Sequence, residues 1–350
     1  MKTNDIILED PLNEIPQNTL PKFATTLGID HYSPSQMAIP DGSWLFKYLA
    51  LSKEQKEKLP ANAAMKGGVA VGDILQKHYA DIIWKFGQNR KLVSVKNKKL
   101  SLEEAIEISL EKYKHYEPAD DKDSEKKFRY LEDIPQVTKN AFNALEEIGV
   151  ANDFVTCEEQ VRITKNSQED FIASCLLPVE GRTDFILDKE QGSSLPKAII
   201  ELKTAWTKLG KVKVNGDRSF IRVSPPVTPS FNHLCQCAFY SAYYKFKVPV
   251  YLVSATAESA KVFTASNCPG LTVESLKKNY QTLLNVFKRR ERILSAFENL
   301  PRAELIKAAA GIIDPMMDHP YAWNGIKNNG EMFEIVKELF NLSWAIEIQF

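Results

Sequence analysis

The chain has 350 residues, of which 44% are hydrophobic and 26% are charged, which is enough apolar sequence for a substantial core. Its 45 basic and 45 acidic residues give a formal net charge of +0, so any affinity for nucleic acid must come from local patches. No apolar run reaches roughly 18 residues and residues 1–5 lack the apolar stretch of a secretory signal, so we expect a cytoplasmic protein without a membrane span.

The first half of the chain is predicted to be mainly helical. Prolines and weak periodicity in residues 1–30 indicate a loosely packed N-terminal arm, and a short helical region is expected over 32–48. Apolar spacing predicts a helix over 69–86, with Ile74, Leu75, Ile82 and Ile83 on one face. Helices over 102–116 and 125–148 would form a helical insert at about residues 100–150, which could wall a channel.

The second half alternates strands and helices. Strands are predicted near 154–164, 170–176, 181–188 and 197–204, a helix over 231–246, strands near 249–255 and 260–265, and a long helix from about 272 to 299. Residues 301–350 are expected to be helical, with Trp323, Phe333, Phe340 and Trp344 packing this tail. The predicted domains are therefore residues 31–265 and a helical C-terminal extension over 266–350, packed on the core.

Three charged residues on two predicted strands indicate a catalytic site. Glu201 and Lys203 end an apolar strand and point to the same face, because side chains alternate along a strand. Turn-forming residues over 188–196 allow Asp184 to lie beside Glu201. This set suits magnesium-dependent cleavage of a phosphodiester bond. The alternative is a surface ion pair, against which the apolar run 198–200 argues, because it indicates a buried strand.

These residues resemble the motif of the PD-(D/E)XK nuclease superfamily, with Asp184, Glu201 and Lys203 as its core and Thr183 where a proline is usual. Gln236 and Tyr240, four residues apart on one predicted helix face, match the RecB-like branch. Within that branch the chain is similar to the mitochondrial genome maintenance exonuclease and to phage recombination exonucleases. The resemblance covers roughly residues 65–265. It implies an α/β fold with a restriction-endonuclease-like core, in which a mixed central sheet is flanked by helices.

The resemblance also implies roles for the site residues. Mg²⁺, for which Mn²⁺ substitutes, would be held by Asp184, Glu201 and the backbone carbonyl of Leu202. Lys203 would orient the attacking water and offset charge on the phosphate. Gln236 and Tyr240 would brace the site or hold the DNA backbone.

The sequence offers several candidates for a further metal ligand. The branch often has a metal-binding histidine four residues after a helix glycine, but here Gly68 is followed in that position by Gly72. His78 lies six residues further on and is turned well away from that helix face, so His78, Gln76, Asp73 and Glu159 are all left as candidates for a further metal ligand. An iron–sulfur cluster is not expected, because the five cysteines are scattered and only Cys235 and Cys237 are close together.

The leading functional hypothesis is a magnesium-dependent deoxyribonuclease that digests single-stranded DNA ends in recombination, repair or DNA degradation. The alternatives are a structure-specific or restriction-like endonuclease and a non-catalytic module that binds nucleic acid. Possible partners are a single-strand-binding or recombination protein, and a phage origin would place the enzyme in the host cytoplasm. A basic segment after the catalytic strand could follow a single strand by charge and stacking; it contains Trp206, Lys208, Lys211, Lys213, Arg218, Phe220 and Arg222.

Overall fold

The computed structural model describes residues 20–57, 59, 62–86, 92–118, 120–164, 175–191, 195–212, 218–319, 322–323, 326–327 and 329–342. Its α-helices are α1 (Lys22–Leu27), α2 (Asp41–Trp44), α3 (Lys53–Glu57), α4 (Ala63–Tyr79), α5 (Leu102–Lys114), α6 (Asp121–Glu147), α7 (Phe231–Tyr243), α8 (Val273–Ser295), α9 (Arg302–Ala310) and α10 (Gly330–Phe340). Its strands are β1 (Ile82–Phe86), β2 (Leu92–Lys96), β3 (Phe154–Cys157), β4 (Gln160–Ile163), β5 (Val179–Arg182), β6 (Phe185–Asp188), β7 (Ala198–Thr204), β8 (Lys208–Val212), β9 (Arg218–Ile221), β10 (Val250–Ala255) and β11 (Ala260–Phe263).

Seven strands of the described residues form one mixed sheet, in the order β11-β10-β7-β6-β3-β1-β2. The central strand β7 runs parallel to β10 and antiparallel to β6. Its first three residues, 198–200, are fully buried, which explains their continuous apolar character. The chain therefore has an α/β fold with helices packed on a mixed sheet.

Helices α4, α5 and α6 share one hydrophobic core with this sheet. Ile74 on α4 and Ile134 and Val137 on α6 belong to the same buried cluster as Phe185 and Ile200 on the sheet. The predicted helical insert is therefore an integral layer of the core rather than an addition to it. Its helix starts are well specified, because Ser101 and Glu104 form a capping box at α5 and Asp120 caps α6.

The chain divides into two compact units, which do not follow the predicted domain boundaries. The first contains the described residues of 61–161 and 181–280, including the whole seven-stranded sheet. The second contains the described residues of 15–60, 162–180 and 281–350, so three separate stretches of sequence build it. Its core includes Phe46, Trp323, Met332 and Val336.

Several predicted elements differ from the structure. The helix predicted over 69–86 ends at Tyr79, and Ile82–Phe86 form β1 instead. The strand predicted over 181–188 is interrupted between β5 and β6. The arm predicted over 1–30 is packed where it is described, because α1 buries Phe23 and Leu27. Residues 1–19, Lys213, Trp344 and most of the strand predicted near 170–176 lie outside the described residues.

All five cysteines are buried and none forms a disulfide. Among the described helices, none is both long and apolar enough to cross a bilayer.

Candidate active site

The three residues of the predicted motif meet where β6 begins and β7 approaches its end. The β6–β7 ladder ends with Phe185 opposite Ile200, and Asp184 and Glu201 directly adjoin this pair in the two chain segments. The Oδ2 atom of Asp184 accepts a hydrogen bond of 2.7 Å from the backbone N–H of Leu202. This bond fixes the orientation of the Asp184 carboxylate at the edge of the strand.

Glu201 is the buried member of the set, with an exposed fraction of 3%. Its Oε1 atom accepts a hydrogen bond from the Nζ atom of Lys203. Its Oε2 atom is buried and has no hydrogen-bond partner among the described residues. An ionised carboxylate with one unsatisfied oxygen is costly in a protein interior, so this oxygen requires a partner of positive charge or a donor.

The electrostatics of the site favour a cation beside the two carboxylates. Burial and the negative charge of Glu201 raise the pKa of Asp184 well above its usual value, because two close carboxylates do not readily ionise together. Burial alone lowers the pKa of Lys203, but the charges of Glu201 and Asp184 outweigh it and raise that pKa to about 12. Lys203 is therefore a permanent cation, while the acid pair still carries an excess of negative charge when ionised.

These donors fit a magnesium ion. Mg²⁺ prefers oxygen ligands, keeps several waters and is often bound through only one or two carboxylates. Asp184, Glu201 and the carbonyl of Leu202 provide that kind of set, and the unsatisfied Oε2 atom of Glu201 is consistent with it. Within the part of the chain that the structure describes, no three His, Cys, Asp or Glu side chains are grouped as a larger ligand set.

A pocket of about 760 Å³ opens beside these residues. Asp184, Leu202, Lys203 and Thr204 line it from the sheet, and Glu158 lines it from the turn between β3 and β4. The opposite wall comes from α4, α5 and the residues just after α5; it consists of Ala64, Met65, Lys66, Gly68, Val69, Ala70, Gly72, Asp73, Gln76, Ser109, Lys112, Tyr113 and Tyr116.

Glu158 is a site residue that the sequence did not identify. It has a left-handed backbone conformation with φ of 57°, and its N–H donates to the carbonyl of Thr183 at 3.0 Å. Its carboxylate accepts a 2.7 Å hydrogen bond from Gln76 and lies 3.8 Å from the guanidinium of Arg182. Glu158, rather than the predicted Glu159, is therefore the carboxylate of this turn that lines the pocket, and Gln76 lines it as well.

Tyr240 and Gln236 lie on α7, as predicted, but neither is among the described residues that line the pocket. The hydroxyl of Tyr240 donates a 2.6 Å hydrogen bond to the carbonyl of Arg182, two residues before Asp184. This contact ties α7 to the backbone next to Asp184, and the two roles expected for Tyr240 stay predictions. The Oε1 atom of Gln236 is buried without a hydrogen-bond partner in the described part of the chain.

His233, in the first turn of α7, is a second residue that sequence reasoning missed. Its backbone N–H is capped by the side chain of Ser230. Burial lowers the pKa of His233 to about 4, and the positive charge of Lys203 contributes in the same direction. His233 is therefore a neutral imidazole near Lys203 at physiological pH.

Two other proposed metal ligands, His78 and Asp73, already have hydrogen-bond partners within the protein. His78 forms a 3.0 Å hydrogen bond with the carbonyl of Leu100, packs edge-on against Phe142 and lines a different depression. Asp73 does line the pocket, but it accepts hydrogen bonds from Lys77 and Ser109. Burial would raise the pKa of Asp73, but these hydrogen bonds outweigh it and lower that pKa.

The basic segment after β7 forms the β8–β9 hairpin. Trp206 is only 7% exposed and packs against Tyr130, with ring centroids 4.9 Å apart, so it supports the core rather than offering a stacking surface. Arg218 forms an ion pair of 2.7 Å with Glu125, whereas Phe220 is exposed. Of the two aromatic residues predicted to stack on a strand, Trp206 is thus structural and Phe220 is exposed.

In comparisons with known proteins, no family model matches this chain, and no curated protein or solved structure is significantly similar to it.

Proposed function

We propose that this chain is a metal-dependent DNA exonuclease of the PD-(D/E)XK type, acting on single-stranded DNA ends. The observation that carries the proposal is the buried Glu201 oxygen without a hydrogen-bond partner among the described residues, located beside the cationic Lys203 and next to Leu202, whose N–H binds Asp184. A buried carboxylate oxygen without a hydrogen-bond partner is costly in a purely structural ion pair, and a bound cation would remove that cost.

In this mechanism Asp184 and Glu201 would hold a magnesium ion, and the Leu202 amide keeps Asp184 oriented. The ion would supply Lewis acidity toward a phosphate and a water. Lys203 orients the attacking water and offsets the negative charge that develops on the phosphate. Glu158, held by Gln76 and Arg182, keeps a further carboxylate at the pocket wall.

The pocket supports a single-stranded substrate. Its volume is about 760 Å³. A pocket of this size suits one splayed nucleotide rather than a segment of duplex. A free end enters such a pocket more readily than the middle of a strand, which favours an exonuclease over an endonuclease.

The test is digestion of end-labelled linear and closed circular single-stranded DNA with magnesium, using the Lys203→Ala variant for comparison. We expect the linear strand to be degraded and the circle to survive, because the circle has no end. Loss of Lys203 should lower kcat by at least about a hundredfold, the usual effect of removing a group that stabilises transition-state charge.

Lys197→Ala is the matched control, because Lys197 directly precedes the same strand and pairs with Asp153 at 2.8 Å, away from the pocket. It should retain wild-type activity. Cleavage of the circular strand would show that the protein is an endonuclease rather than an exonuclease. DNA binding without cleavage in the wild-type protein would instead favour a non-catalytic binding module.

A further inference from the structure

The wall of the pocket that faces the carboxylates has an unusual composition for a solvent-exposed helix surface. Met65 and Val69 lie one helical turn apart on α4, so they share a face. Both line the pocket, and their exposed fractions are 63% and 69%. A pair of adjacent, exposed apolar side chains inside a charged pocket is a candidate surface for an apolar part of a ligand.

Glycines keep the space in front of this surface open. A Cβ atom at Gly68 would lie 3.1 Å from the Oγ1 atom of Thr204, so α4 approaches the end of β7 closely there. A Cβ atom at Gly72 would meet nothing within 4 Å. The helix therefore packs near the catalytic strand at Gly68 and leaves a gap in the pocket at Gly72.

Positive charge accompanies the apolar surface. Lys66 lies next to Met65 in sequence and also lines the pocket. Lys112 reaches the same wall from α5 and lies 3.5 Å from Asp73. Together with Lys203, these lysines suit the phosphates of a strand, while the apolar pair can contact an uncharged base without burying a charge.

We propose that Met65 and Val69 form a nucleobase platform, on which the base beside the cleaved phosphate rests. The inference depends on the proposed nuclease function and specifies which part of the substrate the α4 wall recognises. Every base has an apolar face, so contacts of this kind tolerate any sequence. The platform would thus place successive nucleotides of a strand without selecting among them.

The test uses labelled single strands that carry one abasic nucleotide at successive positions from either end. With the wild-type enzyme, the cut beside the abasic position should slow by about threefold to tenfold, mainly through a higher KM. The double variant Met65→Gln/Val69→Thr keeps the side-chain size and removes the apolar surface. It should cut the normal strand about threefold to tenfold less efficiently and show no further loss at the abasic position.

Val227→Thr is the control, since Val227 is 87% exposed and is not among the described residues that line the pocket. It should retain the wild-type difference between normal and abasic strands. Thermal melting of each variant verifies that the fold is intact. The platform proposal is wrong if the double variant still cuts the abasic strand more slowly than the normal strand, or if the wild-type enzyme cuts both equally well. Either result leaves the nuclease proposal intact. Absence of cleavage on every substrate overturns the nuclease proposal and the platform with it.

Discussion

Arg290 is an arginine on α8 that has become part of the core of its unit. Its Nε atom donates to Asp41 at 2.9 Å, and its Nη atoms donate to the carbonyls of Gln36 and Ile39 at 3.1 and 2.6 Å. Its guanidinium also lies over the ring of Trp44, with 4.6 Å between the carbon and the centroid. The basic run Lys288-Arg289-Arg290 on α8 therefore contains a buried structural residue.

We predict that Arg290→Ala lowers the free energy of unfolding by about 3–5 kcal/mol, because it leaves buried acceptors without donors. Arg289→Ala is the control: Arg289 pairs with the same Asp41 at 2.7 Å but is exposed, so its loss should cost less than about 1 kcal/mol. Urea titration followed by tryptophan fluorescence measures both. Equal losses in the two variants would contradict the structural role.

Asp188, at the end of β6, provides a prediction about pH. Burial and the nearby charge of Asp153 raise the pKa of Asp188 from 3.8 to about 6 in the folded protein. The unfolded chain therefore releases this proton first, and the folded state loses stability as the pH rises from about 4 to about 6. The penalty is absent below pH 3.8 and complete above the folded pKa.

We expect Asp188→Asn to stabilise the protein at pH 7 by about 1–2 kcal/mol, since solvent screens part of the charge, and to have no effect near pH 3.5. Urea midpoints measured across this range provide the test. A stabilisation of the same size at both pH values would show that its origin is not the ionised carboxylate.

At the scale of elements, α4 contains two glycines with opposite environments. A Cβ atom at Gly67 would lie 2.6 Å from the ring of Trp206, whereas one at Gly72 would meet nothing within 4 Å. Gly67→Ala should therefore destabilise the protein by about 1–3 kcal/mol through overpacking. Gly72→Ala should stabilise it by up to about 1 kcal/mol, because alanine is the better helix former.

Thermal melting of the two alanine variants compares one substitution at two sites of one helix. A similar shift in both would mean that α4 does not approach Trp206 as closely as described.

The sequence predicted elements whose signals are local. β7 begins within one residue of the predicted strand, and α5 and α7 begin where predicted, because their apolar runs and caps lie close together in the chain. The end of α4 was mispredicted because the spacing of Ile82 and Ile83 continues the helical pattern. In the structure Asp81 forms two hydrogen bonds with Val155: its N–H donates to the Val155 carbonyl, and its side chain accepts from the Val155 N–H. This long-range contact lies directly before β1.

The candidate site was predictable only in part, for a similar reason. Alternation along a strand correctly paired Glu201 with Lys203, and the turn after β6 correctly suggested a neighbouring Asp184. Alternation could not choose between Glu158 and Glu159, because the left-handed conformation at Glu158 decides which carboxylate faces the pocket. Nor does any local signal show that Tyr240 bonds to the carbonyl of Arg182.

At the scale of the whole molecule, the charge of the site should couple stability to divalent metal. We predict that Mg²⁺ or Mn²⁺ raises the melting temperature of the wild-type protein, because a ligand bound only by the folded state stabilises it. Asp184→Asn should melt higher than wild type without metal, since it removes a buried carboxylate that Glu201 repels, and should no longer respond to metal.

Asp188→Asn is the matched control, with the same substitution four residues further along the chain, and it should retain the metal response. Calorimetry with and without EDTA measures all three proteins. An Asp184→Asn variant that still gains stability from metal would place the cation elsewhere.

The five buried cysteines can report on local unfolding of this protein. Cys175 belongs to the second unit, whereas Cys157, Cys235, Cys237 and Cys268 belong to the first. A thiol reagent reaches a buried sulfur only when the surrounding structure opens, so the rate of labelling at each cysteine gives a local opening free energy. Mass spectrometry of native protein under a slow thiol pulse would thus reveal, without any engineered probe, whether the two units open in one event or independently.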